Sequence, residues 1–265
     1  MALGAWMREQ ARVGVGADAL RLWAREAGFP LREIEGELAP LLLAGAFDPK
    51  GALAAPERGM WRCEGLATCL MWMRFPEMAL FGGLAAPDAA GEIIAAATPR
   101  LSASLVARAG ASPAAGRRSE SVTFERGHCG AADALQEKIA LLLGIDPRRF
   151  EPLQATRYGD GGFYSAHNDF FPEGHRRSGG PAQRACTVIV YLSDPASGGQ
   201  TVIEPVGIRF APVLGSALYF AYPDAESKEM TLHSSAICSG EKWIATQWIV
   251  EQPCLEGFGS APRAS

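Results

Sequence analysis

Two residues near the middle of the chain, His167 and Asp169, are of types that bind metal ions and lie two positions apart. Along an extended strand, the side chains at positions i and i+2 point to the same face, so this imidazole and carboxylate can share one metal. A third ligand must come from elsewhere, and His233 lies in a later segment with the pattern of a strand. Late strands lie beside early ones in a jelly roll. We therefore expect these three side chains to meet.

Two imidazoles and one carboxylate on one face of an octahedral site leave three coordination positions open. This arrangement is typical of non-haem Fe(II) oxygenases, in which substrate, co-substrate and O₂ must all reach the iron. A His-x-Asp sequence alone has little specificity, because a half-buried histidine beside a capping aspartate is common. Neighbouring residues make the motif more specific: Tyr158 lies nine residues before His167, and Lys242 lies nine residues after His233.

The elements that must position these residues change in character along the chain. Residues 1 to about 70 predict a small helical extension of unknown role, since Leu20 and Ala24 have helical spacing and a second helix follows Pro30. Strand and helix patterns alternate in the next 80 or so residues. There, residues 111–121 are rich in Gly, Ser, Pro, Ala and Arg and predict a loop.

From residue 151 onward, short apolar segments alternate with turns built from Gly, Ser, Asp and Pro. This pattern of short strands separated by turns predicts an antiparallel sandwich or jelly roll rather than a parallel sheet. The fold class is thus mainly β, of the α+β kind with supporting helices. The predicted strands are Leu153–Tyr158, Gly162–Ala166, Ala185–Leu192, Gln200–Ile203, Ile208–Ala211, Ala217–Ala221, Thr231–Ile237 and Trp243–Val250.

Composition excludes several classes of protein. The chain has 265 residues, 48% of them hydrophobic, and a formal net charge of −4, which is ordinary for a globular protein and too apolar for a disordered one. This acidic balance disfavours a sequence-independent nucleic-acid binder. No uncharged apolar stretch is long enough for a membrane span. Six scattered cysteines favour reduced thiols, so we expect a cytoplasmic protein. From its charge and its lack of a long apolar stretch, we expect neither a nucleic-acid nor a membrane partner.

The region from residue 153 resembles the catalytic domain of the prolyl 4-hydroxylase-like branch of the Fe(II)/2-oxoglutarate-dependent oxygenases. Four blocks occur in the family's order, and a weaker similarity extends back to Met78. The resemblance implies a double-stranded β-helix, or jelly roll, in a dioxygenase domain over residues 71–265 with its core at about 150–252. The four blocks are LQATRYGDGGFYSAHNDFF, CTVIVYLSDPASGGQTVIEP, PVLGSALYF and LHSSAICSGEKWIATQWIV.

The resemblance also implies a reaction and its cofactors. His167, Asp169 and His233 match the iron ligands and would be the catalytic centre. Fe(II), 2-oxoglutarate as co-substrate and O₂ are the implied cofactors, with ascorbate as a reductant. Oxidative decarboxylation of 2-oxoglutarate would accompany hydroxylation of an unactivated C–H bond.

Further residues match the co-substrate pocket of the family. Lys242 matches the lysine that pairs with the distal carboxylate of 2-oxoglutarate, and Tyr158 and Thr187 match hydroxyl residues that bond the same carboxylate. Trp248 matches an aromatic residue near the pocket wall. The physics agrees, because a buried carboxylate must have its charge neutralised.

Substrate contacts are expected from arginine side chains in two loops. One pair corresponds to an Arg-Ser element near the family's substrate channel, and the other three lie in or beside residues 170–183, which we expect to form a lid over the metal. These arginines are Arg117, Arg118, Arg176, Arg177 and Arg184.

Three functions remain open from the sequence. The first is hydroxylation of a prolyl or other amino-acid residue in a peptide or protein. The second is the same chemistry on a free amino acid or small biosynthetic intermediate. The third is a non-catalytic jelly-roll binding module, which the complete metal and lysine set disfavours. The sequence does not give the oligomeric state.

Overall fold

The computed structural model of the chain describes residues 3–12, 20–21, 24, 28–43, 61–104, 116–171 and 182–251. By its internal contacts the chain divides into two units, Met1–Met60 and Trp61–Ser265. This division falls earlier than the predicted boundary at about residue 70, which lies inside a strand of the second unit.

The first unit contains two described α-helices, α1 (Leu3–Arg12) and α2 (Leu31–Leu43). Their apolar positions recur at helical spacing, which puts Met7, Ile34 and Leu38 into one fully buried cluster. Helix α1 was not expected from the sequence. Because parts of residues 1–70 lie outside the described ranges, the helical extension over that span stays a prediction.

The second unit is built mainly from short antiparallel strands, with three described α-helices, α3 (Pro87–Ala97), α4 (Gly130–Leu143) and α5 (Ala225–Met230). The described strands are β1 (Thr68–Met73), β2 (Met78–Gly82), β3 (Ser102–Ala103), β4 (Arg117–Arg118), β5 (Glu120–Phe124), β6 (Leu153–Tyr158), β7 (Phe163–His167), β8 (Arg184–Tyr191), β9 (Ser197–Gly198), β10 (Thr201–Ile203), β11 (Ile208–Phe210), β12 (Ala217–Ala221), β13 (His233–Ser235), β14 (Cys238–Ser239) and β15 (Lys242–Val250).

The strands form a large sheet of eight strands in the order β1-β2-β12-β8-β15-β6-β5-β3 and a smaller sheet of five in the order β11-β10-β13-β7-β4. A two-stranded ribbon pairs β14 with β9. All the described pairings are antiparallel, and strands distant in sequence are neighbours in both sheets. This arrangement confirms the predicted jelly roll.

Alternation along the strands divides the core into two layers. On β8, Val188 and Val190 join a cluster with the apolar faces of α3 and α4. Ile189 and Tyr191, on the opposite face of the same strand, join a second cluster with residues of the five-stranded sheet, including Ile203. The helices therefore cover one face of the large sheet, and the other face is available to build a site against the small sheet.

Several local predictions are corrected. Residues 111–121 were expected to form a loop, yet Arg117–Arg118 and Glu120–Phe124 are strands, because they pair with distant β7 and β6. Strand β1 begins inside the span assigned to the helical extension, and helix α5 had no counterpart among the predicted elements. Helix α4 fits the alternation of strand and helix patterns expected for this part of the chain, and Gly144 ends it with a positive φ of 65°.

Two expectations from composition can be compared with the described residues. Within those ranges, no helix combines the length and apolar character needed to cross a bilayer. The five cysteines that the structure describes are all free thiols.

Candidate metal centre

Three predicted ligands meet where β7 and β13 pair. His167 is the last residue of β7 and His233 the first of β13, and their Cα atoms are partners across the pair. Asp169 follows two residues after His167. Its Oδ1 is 3.7 Å from Nε2 of His167, and its Oδ2 is 3.7 Å from Nε2 of His233. All the candidate ligand atoms lie within 4.8 Å of one another, so one ion can contact all three.

Asp169 is not placed beside His167 by a shared strand face, as was expected from the sequence. Strand β7 ends at His167, so Asp169 lies beyond it and is not held by the strand ladder. The same-face argument therefore does not place this carboxylate. Side chains from β8 take that role.

Backbone carbonyls orient both imidazoles and select their tautomer. Nδ1 of His167 is 3.0 Å from the carbonyl oxygen of Ser165, and Nδ1 of His233 is 3.0 Å from that of Thr231. A carbonyl oxygen only accepts hydrogen bonds, so Nδ1 carries the proton in each ring. Nε2 is therefore the ring atom on the Asp169 side, and it is the one that can coordinate a metal when the imidazole is neutral.

Burial and mutual interaction also set the charge of the site. Burial, followed by the nearby His233, lowers the pKa of His167 to about 3, so its ring is neutral at pH 7. Burial acts to raise the pKa of Asp169, but the imidazoles, Arg184 and the Thr187 hydroxyl together outweigh it, and the pKa is lowered. One carboxylate and two imidazoles form a donor set that fits Fe(II).

The hydroxyl of Thr187 contacts Asp169 rather than the co-substrate end of the pocket. Its Oγ1 donates to Oδ2 of Asp169 at 2.8 Å and lies 3.0 Å from the hydroxyl of Tyr222. Thr187 pairs with Trp248, which is six residues from Lys242 along β15, or about 20 Å at the usual strand rise. We therefore correct the expected contact between Thr187 and the carboxylate bound by Lys242.

A buried cationic site lies close to the three ligands. Nζ of Lys242, which is 1% exposed, donates to the carbonyl oxygen of Gly199 at 2.6 Å and to Oγ of Ser235 at 2.7 Å. Ser235 is two residues after His233 on β13, about 6–7 Å along the strand on the same face. Burial lowers the pKa of Lys242 to about 8. Because this value is still above 7, the side chain is mainly protonated at pH 7. Tyr158 lies beside it, with its ring 4.8 Å from Nζ.

Three residues that were not predicted, Tyr191, Thr201 and Ser235, complete the surroundings of Lys242. The hydroxyl of Tyr191 donates to Oγ1 of Thr201 at 2.8 Å, and Thr201 pairs directly with Ser235. The positions of Tyr191 and Ser235 follow from strand periodicity. Tyr191 lies four residues after Thr187, and Ser235 lies two residues after His233, so each shares a strand face with a predicted residue. Extending the i, i+2 rule from the predicted residues would have found them.

Of the two arginines on β4, only Arg117 reaches the site. Its guanidinium lies 4.4 Å from the ring centroid of Tyr164, and that ring stacks on His167 with centroids 3.6 Å apart. Arg118 is adjacent on the strand and therefore points to the other face, where it is exposed near Gly161.

The remaining predicted residues divide into two groups. Arg184 stacks on the ring of Trp248 at 3.8 Å, pairs with Glu151, and donates to the backbone carbonyl of Asp169 at 3.0 Å. Trp248 thus lies on the Asp169 side of the site, and its place at the wall of the co-substrate pocket stays a prediction. Arg176 and Arg177 lie outside the described residues.

A jelly roll that presents two histidines and one carboxylate at a strand pair, with a buried lysine nearby, is typical of non-haem metal oxygenases. Comparison with known proteins gives the family. Residues 153–250 match the family model described as the 2OG-Fe(II) oxygenase superfamily. Over these residues the chain is similar to this superfamily, in agreement with the prolyl 4-hydroxylase-like resemblance of the sequence.

Among its relatives is prolyl 4-hydroxylase 13 of Arabidopsis thaliana, 32% identical over 143 residues that cover 46% of this chain and 51% of the relative. The alpha-1 subunit of prolyl 4-hydroxylase from Gallus gallus is 32% identical over 125 residues, 44% of this chain and 24% of the subunit. The chain thus spans about half, or less, of these relatives.

A solved structure covers the fold more completely. The viral collagen prolyl hydroxylase vCPH from Paramecium Bursaria Chlorella virus-1, determined as a 2OG complex, has a TM-score of 0.52 and 27% sequence identity. The similarity covers 65% of this chain and 94% of that structure.

Proposed function

We propose that the chain is an Fe(II)- and 2-oxoglutarate-dependent dioxygenase that hydroxylates a prolyl residue in a peptide or protein. One observation carries the proposal: the buried ammonium of Lys242 contacts Ser235, two residues along β13 from the ligand His233. This spacing suits a five-carbon dicarboxylate that contacts the metal at one end and the lysine at the other. The prolyl hydroxylases among its relatives support the substrate class.

The residues present fit the implied iron. Fe(II) held by His167, Asp169 and His233 would supply oxidative decarboxylation of 2-oxoglutarate coupled to oxygen insertion into a C–H bond. A set of two histidines and one carboxylate would leave coordination positions for the co-substrate and O₂. The side chain of His167 is 21% exposed and that of His233 only 3%, so the substrate approaches from the His167 side.

The protein supplies charge and hydrogen bonds for the far end of the co-substrate. Lys242 neutralises the distal carboxylate, which would otherwise lose hydration without compensation. Burial raises the pKa of Tyr158, so its phenol remains a donor at pH 7. Ascorbate as a reductant and a cytoplasmic location stay predictions.

The cofactor assignment is tested by anaerobic titration. Fe(II) followed by 2-oxoglutarate should produce the weak visible charge-transfer band of an iron–2-oxo-acid chelate. His167→Ala should abolish the band, and Lys242→Ala should shift the titration to much higher 2-oxoglutarate concentrations. His128→Ala is the matched control, because His128 is exposed outside the site. A folded protein without the band would overturn the proposal.

The substrate class is tested by mass spectrometry under turnover conditions. Proline-containing peptides should gain the mass of one oxygen atom, and the gain should be absent in His167→Ala. Oxygen incorporation into free amino acids alone would overturn the peptide assignment and leave the cofactor assignment intact.

A further inference from the structure

Arg184 was expected to contact substrate, but each nitrogen of its guanidinium already has an acceptor. Nε donates to Oε1 of Glu151 at 2.7 Å, Nη2 to Oε2 of Glu151 at 2.6 Å, and Nη1 to the carbonyl oxygen of Asp169 at 3.0 Å. Its faces are packed as well, with the rings of Phe171 at 4.8 Å and Trp248 at 3.8 Å. The side chain is therefore fixed in place in the absence of any substrate.

Glu151, the partner of Arg184, is itself anchored by the protein core. Its backbone carbonyl accepts from Nε2 of Gln247 at 2.7 Å and from Nε2 of Gln136 at 3.3 Å. Both glutamine side chains are buried, and Gln136 also donates to Gln247 at 2.7 Å. A continuous set of hydrogen bonds thus leads from helix α4 through β15 and Glu151 to Arg184.

Asp169 needs such support more than the other two ligands do. His167 and His233 belong to paired strands, whose ladder fixes their backbones. Asp169 lies beyond the end of β7, where side chains take over: Arg184 holds its carbonyl oxygen and Thr187 holds its carboxylate. Both of these residues come from β8.

We propose that Arg184, fixed by Glu151, is a positioning residue that holds Asp169 in place for metal binding, and that it does so without any substrate. The inference rests on the proposed function only in that Asp169 binds the metal. It predicts that loss of the arginine weakens metal binding in the resting protein. An arginine that only anchored substrate would have no effect on that measurement.

The experiment measures Mn(II) affinity of the whole chain by electron paramagnetic resonance, without substrate or 2-oxoglutarate. Arg184→Gln should weaken Mn(II) binding by about 10- to 100-fold, as is usual when the support of a metal ligand is removed. Arg184→Lys should not restore it, because one ammonium cannot bridge both Glu151 and the Asp169 carbonyl. Glu151→Gln should weaken binding in the same direction but less, since the amide keeps one acceptor.

Two controls separate positioning from general destabilisation. Glu120→Gln removes the Arg157–Glu120 ion pair, which also joins neighbouring elements but lies away from the ligands, and should leave Mn(II) affinity unchanged. The ligand-field spectrum of the Co(II)-loaded protein should change in Arg184→Gln and not in Glu120→Gln. The double variant Arg184→Gln with Glu151→Gln should bind no more weakly than Arg184→Gln alone, because the two act through one contact.

Each outcome has a distinct meaning. Equal Mn(II) affinity and equal Co(II) spectra in all variants would overturn the positioning role and leave the proposed function standing. If Arg184→Gln fails to fold, unchanged affinity in Glu151→Gln would still overturn it. Failure of the unaltered protein to bind Mn(II) would overturn the proposed function itself, and the positioning role with it.

Discussion

At the scale of single residues, the site works through groups whose charge is set by burial. The pKa of Lys242 is lowered to about 8 by burial, close enough to neutrality that its charge varies in the experimental range. The ammonium form binds a carboxylate and the neutral amine does not. The affinity for 2-oxoglutarate should therefore be highest below pH ~8 and fall as pH rises, approaching about tenfold per pH unit.

This pH dependence is measured by anaerobic titration of the Fe(II)-loaded protein with 2-oxoglutarate between pH ~7 and ~9. Lys242→Arg is the control, because a guanidinium stays charged throughout that range. Its affinity will be lower if the larger group fits poorly, but it should not change with pH. The same pH dependence in the arginine variant would assign the titration to another group.

The second residue-scale prediction concerns Thr187, whose hydroxyl donates to the Asp169 carboxylate at 2.8 Å. Thr187→Val keeps the volume and removes the donor. Mn(II) affinity should fall by about 10- to 100-fold, whereas 2-oxoglutarate affinity of the fully metal-loaded protein should stay the same. The opposite result, with metal binding intact and 2-oxoglutarate affinity lost, would restore the role implied by the family resemblance.

At the scale of elements, the turn between β6 and β7 determines where His167 lies. A Cβ atom on Gly162 would come within 2.7 Å of the Gly159 carbonyl oxygen and 3.0 Å of that of Arg118, both of them backbone atoms. Gly162→Ala should therefore lower the free energy of unfolding by more than ~1 kcal/mol.

Gly159 lies in the same turn and provides the matched control. A Cβ there meets nothing within 4 Å, and its φ is not in the left-handed region, so Gly159→Ala should change the unfolding free energy by no more than ~0.5 kcal/mol. Urea denaturation measures both variants. Equal effects would show that the turn tolerates a side chain at Gly162.

How far the sequence predicts these elements depends on whether the signal is local. Alternation predicted β6, β8 and β15 to within about two residues, because each buries a regular set of side chains. Strand β4 and the start of β5 were predicted as loop, since their hydrogen bonds come from partners distant in sequence. The role of Arg184 was also out of reach, because Glu151 and Asp169 become its partners only after folding.

At the scale of the whole molecule, metal binding is linked to folding. His167 and His233 lie far apart in the sequence and become neighbours only when β7 pairs with β13. The unfolded chain therefore has no preformed site, and a metal that binds only the folded state stabilises it. Of the three ligands, the two histidines depend on the strand pair and Asp169 on the supporting side chains of β8.

The linkage predicts that Mn(II) raises the thermal unfolding temperature of the protein. The gain in stability should approach ~2.7 kcal/mol when free Mn(II) is 100 times the dissociation constant. Circular dichroism with and without Mn(II) measures the shift. His233→Ala should remove it, whereas His128→Ala, at an exposed histidine outside the site, should keep it in full. A shift that survives in His233→Ala would place the stabilising metal somewhere other than the His167–Asp169–His233 centre.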